Sequence, residues 1–540
     1  MTATSTAPRW AGALVGVVAA GVGVAVGELV AGTSDKLRGP IVAVGDRVVD
    51  NVPPSVKDWA ISTFGTNDKA VLLGGVTVLL AVFAAVVGIV AVRRSLRLGL
   101  VGVGVFALVG VLASFGRGGT GWARPAPPII GGLVAGWALV VLTRRAREAW
   151  PPLERSAVEG GATDGGAGGT ATAVTPPAAE PMVVPGAATD RRRFLVLGAG
   201  LAGTAVVAGG IGRWLQGRAV AVAERLKVVL PTPSEPLPAV PASVHAEGAV
   251  PFITPNDDFY RIDTALVVPR VSTEGWELAV KGRVERPLTL TYRELLDRPM
   301  IEADITISCV SNEVGGDLIG TARWLGCRLD DLLDEAGIDP SADQVVGRSV
   351  DGFTAGFPTA LLDGRPALVA VGMNGEALPI DHGYPARLVV PGVYGYVSAT
   401  KWLSEIELTR FDEFEGYWIP RGWSQLGPIK TQSRIDTPES SSTVEAGADV
   451  PIAGVAWAMD RRIAKVEIQV DDGEWQETVL ADEHNDTTWR QWRFVWRATP
   501  GQHRFRVRAT DGTGETQTAD EAPVAPDGAT GWDRILLRVE

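Results

Sequence analysis

Five apolar runs crowd the first 215 residues, and they constrain the fold of this chain more than anything that follows. Ala70–Val92, Leu98–Phe115, Ala126–Thr143 and Phe194–Gly212 are uncharged and near the length that crosses a bilayer as a helix. Trp10–Gly32, apolar except for Glu28, makes the first of five. In hydrocarbon every backbone N–H and C=O must be satisfied within the segment, so such runs are read as helices. Arg93, Arg94 and Arg97 follow the second run, Arg144, Arg145 and Arg147 follow the fourth, and Arg191, Arg192 and Arg193 precede the fifth. Basic flanks stay on the cytoplasmic side, and these outweigh the opposing Arg117 and Arg124. An odd number of spans then places the rest of the chain outside the cytoplasm, on a multi-pass cell-membrane protein.

Four of the spans fill residues 1–150. The stretch 151–190, rich in Gly, Ala, Thr and Pro, is too poor in large apolar side chains to bury a core and reads as a disordered cytoplasmic linker. Residues 191–215 admit two readings. Arg191-Arg192-Arg193-Phe194-Leu195 before an apolar run resembles a twin-arginine export signal, although Asp190 stands where Ser or Thr is usual, and it also fits a plain basic flank of a fifth helix. Gly198-Ala199-Gly200-Leu201-Ala202-Gly203 matches the dinucleotide-binding pattern by spacing alone. A nucleotide turn needs a strand before it and a second strand about 30 residues on, whereas a proline-rich tether, 216–249, follows here.

From Val250 charges and aromatics return. Ala265–Val268, Trp276–Val280, Leu288–Leu290 and Asp304–Ile307 read as strands, and Thr291–Leu296 and Leu329–Ala336 as short helices, so 250–436 is an α+β domain. Residues 437–540 are wholly β in pattern: Val450–Trp457, Ala464–Val470, Trp489–Trp496, His503–Ala509 and Ile535–Val539, with Asp-Gly turns at 472 and 511. That pattern predicts an immunoglobulin-like sandwich. The fold class is thus a helical transmembrane anchor, an α+β domain and a β-sandwich.

The net charge of -12, with no basic stripe, argues against nucleic acid as a partner. Two cysteines and four histidines, without paired spacing, argue against a structural zinc site. All four histidines lie beyond residue 244, so the membrane helices cannot hold a haem by paired imidazoles. Hydrolase elbow, zincin helix and phosphate loop are all missing from the sequence. Cys309 stands out, because it ends the strand-like Ile305–Ser308 and opens a polar, Gly-rich loop, Val310 to Gly316. A thiolate there could ligate a metal, attack a substrate or form a disulfide with Cys327, though Cys327 sits in an apolar stretch that suits a small core residue.

Three blocks carry a specific resemblance. The first is Thr306-Ile307-Ser308-Cys309-Val310-Ser311-Asn312 with Gly320–Gly326; the second is Met373–Pro379, His382–Gly392 and Lys401-Trp402-Leu403; the third is Trp489-Arg490-Gln491-Trp492. Spread over about 190 residues in the same order, they resemble the sulfite oxidase family of molybdopterin-dependent oxidoreductases. The resemblance implies one molybdenum held by one pterin dithiolene per chain and by the Cys309 thiolate. It further implies that Asp351, His382, Arg387 and Lys401 bind the pterin, with Arg387 and Lys401 facing its phosphate, and that Arg261 and Arg490 reach the active site. The terminal sandwich would then support a homodimer, and a separate protein or carrier would exchange electrons with the metal as it cycles between its VI and IV states.

Oxygen-atom transfer to or from a small substrate is the reaction expected. Sulfite oxidisers of the family follow the Cys with Ala-Gly-Asn and then arginine, whereas here Glu313 and Val314 come after Asn312. Loss of a charge-assisted hydrogen bond costs a dianion about 1.5–3 kcal/mol, so S-oxides and N-oxides are expected over sulfite. A membrane-anchored receptor or adhesion module built on the sandwich is the competing class, separable by metal content. The five-span topology predicts that a reporter active only outside the cytoplasm is silent when fused near Gly165 and active after Thr232; the reverse pattern refutes it.

Overall fold

The computed structural model describes residues 6–34, 37–53, 68–115, 123–150, 187–213 and 219–540, together with Val56, Trp59, Thr63 and Phe64. Described residues up to 213 belong to one compact unit and those from 219 to a second. The linker expected at 151–190 lies, up to residue 186, outside the described residues.

Among its described residues the N-terminal unit contains five helices long and apolar enough to cross a membrane: Arg9–Ala31, Lys69–Arg93, Leu96–Ser114, Ala126–Ala149 and Asp190–Gly210. The first of them packs against the second, fourth and fifth. Small residues permit the close approach, since a Cβ on Gly16 would stand 1.8 Å from the carbonyl oxygen of Ala84. Trp150 meets both Trp10 and Phe194 edge-on, each at 5.6 Å between centroids. The Gly198–Gly203 pattern falls inside the continuous helix Ala187–Arg213 and not at a strand-to-helix turn.

Two sheets build the α+β part of the C-terminal unit. One runs Leu288–Thr291, Glu277–Gly282, Leu403–Thr409, Gln344–Ser349, Thr354–Pro358, with a single parallel pairing between the second and third. The other runs Ile301–Ser308, Ile319–Arg328, Leu368–Met373, Glu376–Ala377, with Arg387–Val389 also on Leu368–Met373. The short helix Tyr292–Leu296 starts as its sequence dictates, because Thr291 and Glu294 cap each other reciprocally. Ala265–Val268, expected as a strand, is irregular; Pro269 ends it without an N–H to donate to a ladder.

Residues from Gln432 form two further sheets, one of four strands and one of five. Their facing side chains, among them Ile452, Val466, Ile468, Trp492, Phe505 and Val507, share one core. The strands expected from alternation are all present within a few residues at each end.

The strand Ile301–Ser308, which leads to Cys309, lies at the edge of its sheet, and this second β region closes that edge. Thr306 N–H donates to Thr487 O at 2.9 Å, and Trp489 N–H donates to Thr306 Oγ1 at 2.9 Å. Asp304, wholly buried, accepts from Arg323 Nε and Nη2 at 2.8 Å each and lies 2.8 Å from His484 Nε2.

The stretch expected as a tether is, from Ala219, a strap packed on the α+β core. Glu224 accepts from Ser272 Oγ and Thr273 N–H at 2.9 Å each, and Arg225 donates to the carbonyls of Ala377 and Leu378. Leu237 N–H donates to Glu302, and Arg323 donates to Leu237 and Pro238 carbonyls. A fragment 219–540 should therefore resist urea better than a fragment 250–540, by at least about 2 kcal/mol of unfolding free energy. Equal midpoints would show the strap to be incidental.

Candidate active site

The loop after Cys309 is built by its own polar groups. Cys309 N–H donates to Leu318 O at 2.9 Å, Asn312 N–H donates to Cys309 O at 3.0 Å, and the Asn312 side chain accepts from Leu318 N–H at 2.9 Å. Arg434, from the second β region, donates to Gly316 O at 2.8 Å. The thiol itself accepts from Ser311 N–H at 3.4 Å.

Cys309 opens onto a cleft. Asp351, His382, Arg387 and Lys401 line the same cleft, so the structure brings together five positions that are between 5 and 92 residues apart in sequence. They arrive on separate elements: Asp351 on the turn after Gln344–Ser349, His382 on a short helical turn, Arg387 opening its strand, and Lys401 just before Leu403–Thr409. Both cysteines are free and buried, which removes the disulfide alternative.

Electrostatics in the cleft are dominated by burial. Arg387 is 4% exposed; burial lowers its pKa to about 10, and its guanidinium carbon stacks 4.9 Å over the Trp324 ring. Among the described residues no carboxylate lies within ion-pair distance of it; it donates to the backbone carbonyls of His382 and Leu388. Burial likewise lowers Lys401 to about 8, against the pull of Asp263, 2.9 Å away. His382 is pushed down to about 4 by burial and then by Arg387. Burial raises the Cys309 thiol, an effect partly offset by the Ser311 N–H and by Lys401. Lys401 has its counter-charge in Asp263, whereas Arg387 is buried without a carboxylate at ion-pair distance among the described residues, a setting that suits an anionic guest.

Two predicted residues fall outside the cleft lining. Arg261 pairs with Asp263 at 3.0 Å and Asp381 at 3.3 Å, beside the site and sharing Asp263 with Lys401. Arg490 is turned away altogether, donating to the carbonyls of Ala481 and Ile463. The reason is strand alternation. Its neighbours Trp489 and Gln491 face the α+β part, reaching Phe252, Ala246 and Val250, and the residue between them must point the opposite way. Glu313 is exposed and Val314 faces Gly531, so neither lines the cleft. Missed by sequence reasoning were Tyr260 and Asp263, next to Arg261, and the aromatic group Phe353, Tyr396, Trp418 and Trp423. The density of rings between Phe411 and Trp423 was the available signal.

Residues 265–418 match the family profile of the oxidoreductase molybdopterin binding domain. YuiH, an uncharacterized oxidoreductase of Bacillus subtilis, is 32% identical over 152 residues, 28% of this chain and 74% of that one. The chain belongs to the sulfite-oxidase-like molybdopterin oxidoreductases. Mitochondrial sulfite oxidase of Rattus norvegicus is 30% identical over 341 residues, covering 53% of this chain. Nitrate reductase (NADPH) of Aspergillus niger is 27% identical over 353 residues, covering 51% of this chain and 40% of its own. The match spans 62% of the rat protein's length. Membership in this molybdopterin family implies a molybdenum cofactor, and the donors of the cleft suit one: a single soft thiol, with buried cations for an anionic pterin tail.

The depressed His382 pKa gives a sign for the cofactor-free protein. A group whose folded pKa lies below its unfolded value takes up its proton later in the folded state, so stability is full above pH 6.5 and falls as pH drops towards 4. Going from pH 7 to pH 4, His382→Gln should lose about 3 kcal/mol less stability than the parent chain. Identical pH profiles by urea unfolding would show that His382 is not held neutral.

Proposed function

We propose that this chain catalyses oxygen-atom transfer at a molybdenum cofactor, with Cys309 as the protein's metal ligand. The observation that carries the reading is the convergence of Cys309, Asp351, His382, Arg387 and Lys401 on one cleft. The cofactor supplies two-electron exchange and accepts or donates an oxygen atom.

The chain's own residues perform the binding. Cys309, kept protonated by burial when no cation is near, gives up its proton to become a thiolate donor. Arg387, without a carboxylate partner, and Lys401, held by Asp263, supply positive charge to the pterin phosphate. Neutral His382 has its Nε2 3.1 Å from the Asn256 carbonyl, which fixes the ring for hydrogen bonding to the pterin. Asp351, whose Oδ1 accepts from Phe353 N–H at 3.0 Å, would face the pterin from the turn after Gln344–Ser349. Arg261 acts through Asp263 as a positioning residue.

The preferred substrates in this reading are S-oxides and N-oxides, with sulfite a poor alternative. Support comes from the cationic groups, which lie with the cofactor-binding residues, and from the absence of Arg490 from the cleft lining. The five apolar helices support a membrane-anchored enzyme, and their basic flanks support a catalytic domain, 250–436, outside the cytoplasm. The two facing sheets support reading 437–540 as an immunoglobulin-like region through which two copies pair. Electrons would come from a separate protein or carrier.

Cys309→Ser should give a folded protein with less than about a tenth of the parent's molybdenum per chain and no turnover, because a hydroxyl is a harder and poorer donor than a thiolate. Cys327→Ser should retain both metal and turnover. Metal analysis and turnover with artificial dyes read the outcome; a Cys309→Ser protein with full metal and activity rejects the ligand assignment.

A further inference from the structure

Four aromatic rings, Phe353, Tyr396, Trp418 and Trp423, line the same cleft as Cys309, and the cofactor-binding assignment leaves them unused. They are not scattered. Tyr396 and Trp423 lie 5.8 Å apart and Trp423 and Trp418 5.9 Å apart, a continuous wall of ring faces and edges. Gly395, one residue before Tyr396, lies close to the backbone beside the thiol: a Cβ on it would be 3.7 Å from the carbonyl oxygen of Ser308.

The hydroxyl of Tyr396 is already committed elsewhere. Tyr396 donates its hydroxyl to Ser424 O at 2.6 Å, so its ring carbons face the cleft. Arg421, the cation nearest in sequence, stacks 3.8 Å over Tyr417 and donates to the Tyr417 carbonyl. It does not line the cleft. Trp418 and Trp423 are partly exposed and rest on the α+β core from the loop 417–428. Ser424 N–H donates to Pro526 O at 3.0 Å, and Gly427 O accepts from Tyr394 N–H at 2.7 Å, which fixes that loop at both ends.

A wall of this kind selects against small anions and for flat apolar groups. Ring faces carry negative quadrupole charge and repel sulfite or nitrate, whereas an aryl group stacks on them and leaves water. We propose that the Tyr396–Trp423–Trp418 wall recognises an aryl or similarly flat apolar substituent on a neutral sulfoxide. This rests on the reading of the chain as an oxygen-atom-transfer enzyme. In the reaction, one S=O bond is broken; the sulfoxide gains two electrons and two protons and leaves as a sulfide plus water. A reduced viologen dye supplies the electrons and solvent supplies the protons.

The test uses the full cofactor-loaded chain in detergent, with methyl phenyl sulfoxide and dimethyl sulfoxide as alternative substrates. The expected ratio of kcat/KM favours the aryl compound by about tenfold or more. Trp423→Leu and Trp418→Leu should each reduce that ratio by about threefold or more, and Trp423→Phe should keep most of it. Calorimetric binding of methyl phenyl sulfone, which is not reduced, gives a readout independent of turnover and should weaken in both Leu variants. Turnover of both sulfoxides with no aryl preference, or a preference unchanged in the Leu variants, overturns the assignment. So does a loss confined to molybdenum content, which would make the wall part of the cofactor seat. If neither sulfoxide is reduced while sulfone binding depends on Trp423, the oxide-reductase reading fails and aryl recognition stands.

Discussion

The buried carboxylate of Asp304 is the interaction on which the rest of the C-terminal unit depends. Burial alone would raise its pKa, but hydrogen bonds from Arg323 and His484 outweigh that and hold it below the usual carboxylate value. A buried charge with this many donors is stable only while all of them stay in place. Its own backbone carbonyl accepts from Asn485 Nδ2 and Thr487 Oγ1, so side chain and main chain are tied to the same segment of the second β region. Five residues along the strand stands Cys309. The edge of a sheet, ordinarily the part free to pair or fray, is here the most heavily hydrogen-bonded part of the site.

Charge in the cleft follows from that rigidity. Burial lowers the pKa of both Arg387 and Lys401, and an anionic guest would offset that cost. The family's phosphate-bearing cofactor is a guest of that sign, and a soft thiol suits the metal it carries. In the proposed reading the buried cations hold the cofactor and the aromatic wall chooses the substrate.

How much of this could be read from residues alone depended on which signal each feature leaves. Spans leave length and hydropathy, so all five helices were readable from runs such as Ala70–Val92. Strands of the second β region leave period-two alternation, and Thr291 with Glu294 leaves a capping box. Ala265–Val268 failed because apolar composition does not create a pairing partner. Arg490 failed for a related reason: a motif gives the position of a residue along a strand but not which face it takes, and one step of register reverses the answer. The strap 219–249 failed because prolines signal an extended chain without saying whether it hangs free or lies against a surface. Aromatic residues between 417 and 423 were visible, yet only the fold shows that Trp418 and Trp423 turn inward together.

The loop holding Cys309 leans on Arg434 and stands close to Asp533, whose carboxylate also accepts from Ile435 N–H at 2.8 Å, while the strand behind it is sealed by residues 484–489. These supports are encoded between 125 and 224 positions after the cysteine itself. A ribosome delivers residues in sequence, and a domain generally completes its core only when its own last strands have emerged. The thiol end of the cleft is therefore a late event in the life of the chain. Until Asp533 has been made, the edge strand that leads to Cys309 and the loop after it lack their full cover.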